Sequence, residues 1–302
     1  MERRILVANP HGFCRGVGKA VAMLRNTLEQ EGKSGKIVYV RKEIVHNTAL
    51  VEDFEAKGAV IVNEVDDVPE GGIVVFSAHG VAPIVREKAL ARNLCVVDTT
   101  CDLVTKVHEA AIRYASEGYT IILIGEPGHK EMVGVIGEAP DNIRFIHNEL
   151  DIDSLSDMDI TRLVWLSQTT LNVDETQKIV ECLRKKFPTL EDPSDDCICY
   201  ATKNHQLAVK NIAGGCDLFV VVGSQTSSNT KRLVEVAMES GAKRAIRIDE
   251  PDELKDIDFS AIYTVGITSG VSVTEEQLTR TREYLENMGY ICPEEHIVPK
   301  KN

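Results

Sequence analysis

A cysteine placed just ahead of a helix occurs three times in this chain, twice after a short apolar run and a polar loop, and this recurrence limits its fold more than any other feature. The apolar run 5–8 passes through Asn9-Pro10-His11-Gly12-Phe13 to Cys14, and a helix follows with Val17, Val21, Leu24 and Leu28 on one face. The run 94–97 ends in Asp98 and leads to Cys101, ahead of a helix predicted over 103–117. Cys199, in Cys197-Ile198-Cys199-Tyr200-Ala201-Thr202, precedes a helical segment predicted over 204–212. Cys14 and Cys101 are 87 residues apart, and Cys101 and Cys199 are 98 apart, which points to a threefold internal repeat. A thiol between a strand end and a helix start sits where the helix dipole favours thiolate, so each of these cysteines is a candidate ligand or nucleophile.

Between the cysteines, strands alternate with helices. Strands are predicted over 37–40, 59–62 and 73–76, then 120–124, 143–146 and 163–166, then 218–222, 245–248 and 261–265. That alternation predicts α/β repeats with mostly parallel sheets. The expected domains are 14–96, 97–194 and 195–302, with strand 1–13 joining the sheet of another repeat. Linkers are expected over 149–159, which is acidic, and over 188–196.

Each repeat also carries two polar loops that follow strands. The first loops hold His46, His129 and Asn229, which lie 32, 28 and 30 residues past their cysteines. The second hold His79, Thr169 and Ser272. Ligands of open α/β sheets bind at the carboxyl ends of strands, so three such units packed face to face would aim all nine positions at one centre.

Three thiolates with no evident fourth ligand suit a metal site with an open coordination position. Zinc with three cysteines and a water satisfies this, and so does an iron–sulfur cluster; the wide spacing does not choose between them. Around such a metal, His46, His79, His129, Thr169, Ser227, Ser228, Asn229 and Ser272 offer hydroxyls, imidazoles and helix-start N–H groups suited to phosphate or diphosphate. Glu131, two residues past His129, is a candidate proton donor, because a nearby anion raises a carboxyl pKa. Glu43 and Glu126 lie in the same loops and are not excluded by spacing. A near match to a phosphate-binding P-loop over 12–19 fails on spacing, and Ala20 stands where that motif needs Ser or Thr.

The formal charge of −13 opposes nonspecific binding to nucleic acid or acidic membranes, and Arg184-Lys185-Lys186 and Lys300-Lys301 read as solvated surface. No run of about 18 apolar residues exists and the chain enters a strand at once, so a cytoplasmic location is expected. With eight cysteines in such a compartment, thiols are expected in place of disulfides. Cys95, Cys182 and Cys216 are read as core packing, and Cys292 sits near a loop.

Many separate blocks, in order along nearly the whole chain, resemble the LytB-type 4-hydroxy-3-methylbut-2-enyl diphosphate reductases, the terminal reductases of the non-mevalonate isoprenoid pathway. They include Ala8-Asn9-Pro10 with Gly12-Phe13-Cys14, Glu43-Ile44-Val45-His46-Asn47, Phe76-Ser77-Ala78-His79-Gly80-Val81, and Cys101 through His108. They continue through Gly128-His129, Gln168-Thr169-Thr170-Leu171, Ile198-Cys199-Tyr200-Ala201-Thr202, Ser227-Ser228-Asn229 and Gly266-Ile267-Thr268. The resemblance implies a trefoil of three α/β domains around an oxygen-sensitive 4Fe-4S cluster, held by Cys14, Cys101 and Cys199 with one iron left open. It implies that His46, His79, His129, Ser227, Ser228, Asn229 and Ser272 hold the diphosphate while the substrate oxygen meets the open iron. It further implies that Glu131, with Thr169 as relay, supplies the proton that lets water leave. The products would be isopentenyl and dimethylallyl diphosphate, with ferredoxin or flavodoxin as electron donor.

The chain departs from the family pattern at three places. Lys130 stands where Gly-His-Pro-Glu is usual, which frees φ beside the proton donor. Val271-Ser272-Val273-Thr274 replaces a common Ser-Thr/Ala-Pro sequence, and the sequence ends at Asn302 without the RNA-binding extension of some relatives. Two other functions fit the residues: a three-cysteine zinc hydrolase of a phosphorylated metabolite, and an iron- or redox-sensing module. Metal analysis separates the first from the reductase, and retention of function in Glu131→Gln would favour the second.

Overall fold

The computed structural model describes residues 2–155, 161–194 and 197–293, and the backbone of 295–297. The end of the acidic linker at 156–159, residues 195–196 of the second linker, and Lys300-Lys301 lie outside the described residues. The chain divides into two compact units: Met1–Cys14, His46–Thr48 and Tyr200–Asn302 form one, and Arg15–Val45 with Ala49–Cys199 form the other.

The second unit carries two four-stranded parallel sheets. In the first, β2 (Val38–Arg41) lies between β3 (Ala59–Val62) and β4 (Ile73–Phe76), and β5 (Cys95–Asp98) pairs with β4. The second sheet repeats this order: β6 (Thr120–Ile124) lies between β7 (Ile143–Ile146) and β8 (Leu163–Ser167), with β9 (Leu190–Glu191) beside β8. Helices α2 (Thr48–Ala56), α3 (Pro83–Ala91), α5 (Lys130–Glu138) and α6 (Val173–Lys186) connect strands within a sheet, while α1 (Arg15–Gly32) precedes β2 and α4 (Asp102–Ser116) leads from β5 to β6.

The first unit holds the third sheet. There β10 (Leu218–Val222) lies between β11 (Ala245–Ile248) and β12 (Thr264–Ser269). The fourth place belongs to the amino-terminal strand β1 (Arg4–Asn9), and β13 (Glu295–Ile297) pairs with its far edge. Helices α7 (Tyr200–Ala213), α8 (Ser228–Glu239) and α9 (Glu275–Asn287) complete this unit. Each cysteine of the repeat therefore follows the fourth strand of a sheet: Cys14 after β1, Cys101 after β5 and Cys199 after β9.

The central strands explain why the sheets form. Every residue of β10 is buried, and alternate residues point to opposite faces: Leu218, Val220 and Val222 enter one apolar cluster, Phe219 and Val221 another. In β6, Ile121 and Leu123 pack on one face and Ile122 and Ile124 on the other. Such all-apolar strands require helices on both sides of a parallel sheet. Asp217 fixes the start of β10: its carboxylate accepts the N–H groups of Tyr263 and Thr264, at 2.9 Å each, and pairs with Lys243 at 2.7 Å. The Lys243 ammonium and these two N–H donors hold its pKa down at about 2.

The structure corrects three sequence expectations. The strand predicted at 261–265 is β12 at Thr264–Ser269, so Gly266-Ile267-Thr268-Ser269 lies within the sheet. Gly266 is there because Phe219 fills its side-chain space: a Cβ would come within 2.5 Å of the ring. Cys95 is exposed, because β5 is an edge strand with one sheet neighbour. The two-residue strand β9 falls inside the linker expected over 188–196. Cys216 is buried as expected, and its surroundings push the thiol pKa up to about 12.

Candidate active site

Helix starts organise the polar loops. Cys101 is the N-cap of α4, His129 of α5 and Ser227 of α8, so three of the singled-out residues stand where unpaired backbone N–H groups collect. A backbone bond also ties each cysteine to the second loop of its sheet. The N–H of Cys101 donates to Ala78 O at 3.0 Å, beside His79, and that of Cys199 to Thr169 O at 3.1 Å. The N–H of Cys14 donates to Val271 O at 3.3 Å, beside Ser272.

In the second unit the carboxyl ends of β4, β6 and β8 carry His79, then His129 with Glu131, then Thr169. His129 Nδ1 accepts the N–H of Glu131 at 3.2 Å. With Nδ1 accepting, Nε2 carries the ring proton and is a donor. The ring of His79 meets that of His129 edge to face, 5.8 Å between centroids, and its Nδ1 lies 3.2 Å from Ser77 Oγ.

Glu131 is 2 % exposed, in the first turn of α5. Thr169 donates its N–H to Oε1 at 2.8 Å and its hydroxyl to Oε2 at 2.9 Å. Burial pushes the Glu131 pKa up to about 7, against the two Thr169 bonds that favour the carboxylate. Glu43 and Glu126, also candidates from the sequence, are only half-buried: Glu43 pairs with Lys130 at 2.8 Å, and the N–H of Glu126 donates to Gln168 Oε1 at 2.9 Å. Glu131 therefore has the environment of a proton donor that works near neutral pH.

Cys101 shows how tightly a thiol is held here. A Cβ built on Gly16, at the start of α1, would lie 2.4 Å from the Cys101 Sγ. Cys14, Cys101 and Cys199 are all partly buried thiols at strand-to-helix junctions, a soft donor set that fits iron–sulfur ligation. Among the described residues, no three His, Cys, Asp or Glu side chains are grouped as ligands of one metal ion. A 4Fe-4S cluster does not need that grouping, because each thiolate binds its own iron.

In the first unit Ser227, Ser228, Asn229 and Ser272 are buried at 4 %, 2 %, 2 % and 4 % exposure. Ser227 Oγ accepts the N–H of Thr230 at 3.2 Å and so caps α8. The Ser272 hydroxyl donates to His46 O at 2.9 Å, and the Asn47 amide donates to Ser272 O at 2.7 Å, which fixes the last loop against the His46 loop. His46 Nδ1 lies 3.3 Å from Thr226 Oγ1. Both side-chain polar atoms of Asn229 are buried with no hydrogen-bond partner among the described residues. A buried amide left so is destabilising by roughly 1–3 kcal/mol per group, and its Nδ2 is a free donor of the kind an anionic oxygen accepts from.

The sequence assigns no role to Asn47, which braces Ser272, or to His108. His108 nevertheless lies on the apolar face of α4 with Val104, Val107 and Ala111, a pattern that marks a buried imidazole.

The family model described as LytB protein matches residues 5–286. A Mycolicibacterium vanbaalenii protein named 4-hydroxy-3-methylbut-2-enyl diphosphate reductase is 50% identical over 288 residues, 95% of this chain and 85% of its own length. A protein of the same name from Streptomyces coelicolor is 48% identical over 95% of this chain and 84% of its own. Among solved structures, the E-1-hydroxy-2-methyl-but-2-enyl-4-diphosphate reductase from Plasmodium falciparum superposes with a TM-score of 0.89 at 33% identity, covering 100% of this chain and 96% of that one. With the family model spanning most of its length and relatives near 50% identical over nearly all of it, this chain belongs to the LytB family.

Proposed function

We propose that this chain reduces 4-hydroxy-3-methylbut-2-enyl diphosphate to isopentenyl and dimethylallyl diphosphate, with Cys14, Cys101 and Cys199 holding one 4Fe-4S cluster shared by the three repeats predicted at 14–96, 97–194 and 195–302. The buried carboxyl of Glu131, gripped by Thr169 and poised near pH 7, carries this reading. Loss of the allylic hydroxyl as water requires a proton at the departing oxygen, two electrons, and a second proton at carbon. The cluster, when bound, supplies the electrons one at a time.

The chain's own groups account for substrate binding and proton delivery. His79, His129 and His46, with Ser227, Ser228, Asn229 and Ser272, hold the diphosphate through ring N–H, hydroxyl and helix-start donors, which suits an anion on a chain of net charge −13. When Glu131 is protonated on Oε2, its O–H donates to Thr169 Oγ1, and the Thr169 hydroxyl proton is then directed onward to the substrate oxygen. After transfer, the new carboxylate is stabilised by the N–H and hydroxyl of Thr169. Ferredoxin or flavodoxin supplies electrons in the cytoplasm on this reading. No described helix is long and apolar enough to cross a membrane.

The test is anaerobic purification with quantification of iron and sulfide, followed by turnover with a low-potential donor. The expected result is brown protein, four irons per chain on the stoichiometry of the cluster, and both products. Glu131→Gln should keep the iron and lose about 10²-fold or more in kcat. Colourless zinc protein without reductase activity would overturn the proposal.

A further inference from the structure

One ionic cluster in the second unit, built on a buried His–Glu pair, has no part in the chemistry described above. His108, on α4, is 6 % exposed, and its Nδ1 lies 2.7 Å from Glu138 Oε1, at the last residue of α5. An ionised carboxylate only accepts, so Nδ1 carries the proton and donates. The Glu138 carboxylate is 5 % exposed and is also bridged by Arg86 of α3, whose guanidinium donates in addition to Val81 O at 3.0 Å.

The three helices joined here each begin beside a candidate site residue: α3 follows His79, α4 is capped by Cys101, and α5 is capped by His129 and carries Glu131. The other edge of the His108 ring is wedged between two glycines. A Cβ on Gly80, the residue after His79 with φ +75°, would stand 3.1 Å from Nε2. A Cβ on Gly134, three residues past Glu131, would stand 3.0 Å from Cε1 and 3.1 Å from Nε2. The ring therefore spaces the His79 loop from the Glu131 helix, with contacts that leave no slack on either side. Nε2 is buried with no hydrogen-bond partner among the described residues, so the ring's hold comes from Nδ1 and from shape.

We propose that His108, anchored by Glu138 and Arg86, is a positioning residue that sets the separation between the anion-binding His79 and the proton donor Glu131. This rests on the reading of those two residues given above. A buried imidazole–carboxylate pair with an exposed guanidinium at its edge that served stability alone would make the thermal midpoint, and not turnover, the sensitive quantity.

Gly134→Ala separates the two roles, because alanine is the better helix former while its methyl pushes on the ring. The anaerobic holoprotein, its His108→Ala and His108→Asn variants and Gly134→Ala are compared for iron content, thermal midpoint, kcat, KM and calorimetric binding of inorganic diphosphate. Expected for Gly134→Ala is an unchanged iron content and a thermal midpoint no lower than wild type. Its kcat should fall about tenfold or more, as for reacting groups displaced by a fraction of an ångström. His108→Ala should lose more turnover than His108→Asn, whose amide N–H replaces the Nδ1 donor, and diphosphate should bind His108→Ala several-fold more weakly. If Gly134→Ala and His108→Asn both keep kcat and diphosphate affinity within twofold, the positioning role is wrong, whatever happens to the thermal midpoint; should His108→Ala fail to fold, those two variants decide alone. A wild-type chain that loads iron but does not turn over the allylic diphosphate would instead sink the reading of the site, and this proposal with it.

Discussion

Thr169 holds both oxygens of Glu131, its N–H at 2.8 Å from Oε1 and its hydroxyl at 2.9 Å from Oε2, while its own carbonyl accepts the N–H of Cys199 at 3.1 Å. One residue thereby links a cysteine of the repeat to the buried acid, and the two bonds to that acid differ in what a substitution removes. Thr169→Val keeps the backbone donor and the shape but loses the hydroxyl. Because that hydroxyl lowers the Glu131 pKa, its removal should raise the midpoint above about 7. Turnover should drop about tenfold or more with loss of the relay. Thr169→Ser should stay near wild type. A pH–rate profile of the three proteins checks this, and a Val variant with wild-type kcat would remove Thr169 from proton delivery.

Two buried groups should tilt stability in opposite directions with pH. Glu131 has its pKa raised to about 7, so the native state holds a proton that the unfolded chain has lost; its contribution is present below about 4.5 and declines as pH rises through 7. His205, 3 % exposed on α7, has its pKa lowered to about 4 by burial and by His11, so its contribution is present above 6.5 and declines as pH falls to 4. Each effect is on the order of 3 kcal/mol, and between pH 4.5 and 6.5 the two slopes offset one another. Thermal midpoints across pH 4.5 to 8 should therefore rise more steeply with pH in Glu131→Gln than in wild type, and fall with pH in His205→Gln. Parallel curves for all three proteins would show that neither group titrates as described.

Gly16→Ala should disturb Cys101, a proposed cluster ligand, without substituting a cysteine. The new methyl would lie 2.4 Å from the Cys101 Sγ, too close for any real contact, while within α1 the change itself favours helix by up to about 1 kcal/mol. Iron and sulfide per chain should fall well below wild type, with the helix content by circular dichroism unchanged. Full iron loading would mean that Cys101 can yield, or is not a ligand.

Lys130 opens α5 with a cation, where the helix dipole favours an anion, and Glu43 neutralises it at 2.8 Å. Both side chains are partly exposed, at 22 % and 33 %, so the pair is worth no more than about 1 kcal/mol. Proline is well tolerated at the first position of a helix, so Lys130→Pro should shift the thermal midpoint by no more than a few degrees and keep kcat within about threefold. A larger loss of turnover would show that the Glu43 pair holds His129 and Glu131 in place.

The period of the apolar runs and the placement of polar residues after them determined, from sequence alone, three parallel α/β units and the cysteines, histidines and hydroxyls at their carboxyl ends. Those features are local: a strand such as Leu218–Val222 is apolar throughout because both its faces are covered, and the residues that follow it stand at the next helix start. The sequence could not choose among Glu43, Glu126 and Glu131, since a carboxyl group's pKa depends on which distant segment covers it, and Thr169 lies 38 residues away. Nor could it tell that Gly266 lies inside a strand under Phe219, or that the cysteine of an apolar run at 94–97 faces solvent on an edge strand. Tertiary packing decided those points, and it decided as well that His108, on the apolar face of its helix, stands between the loop of His79 and the helix of Glu131.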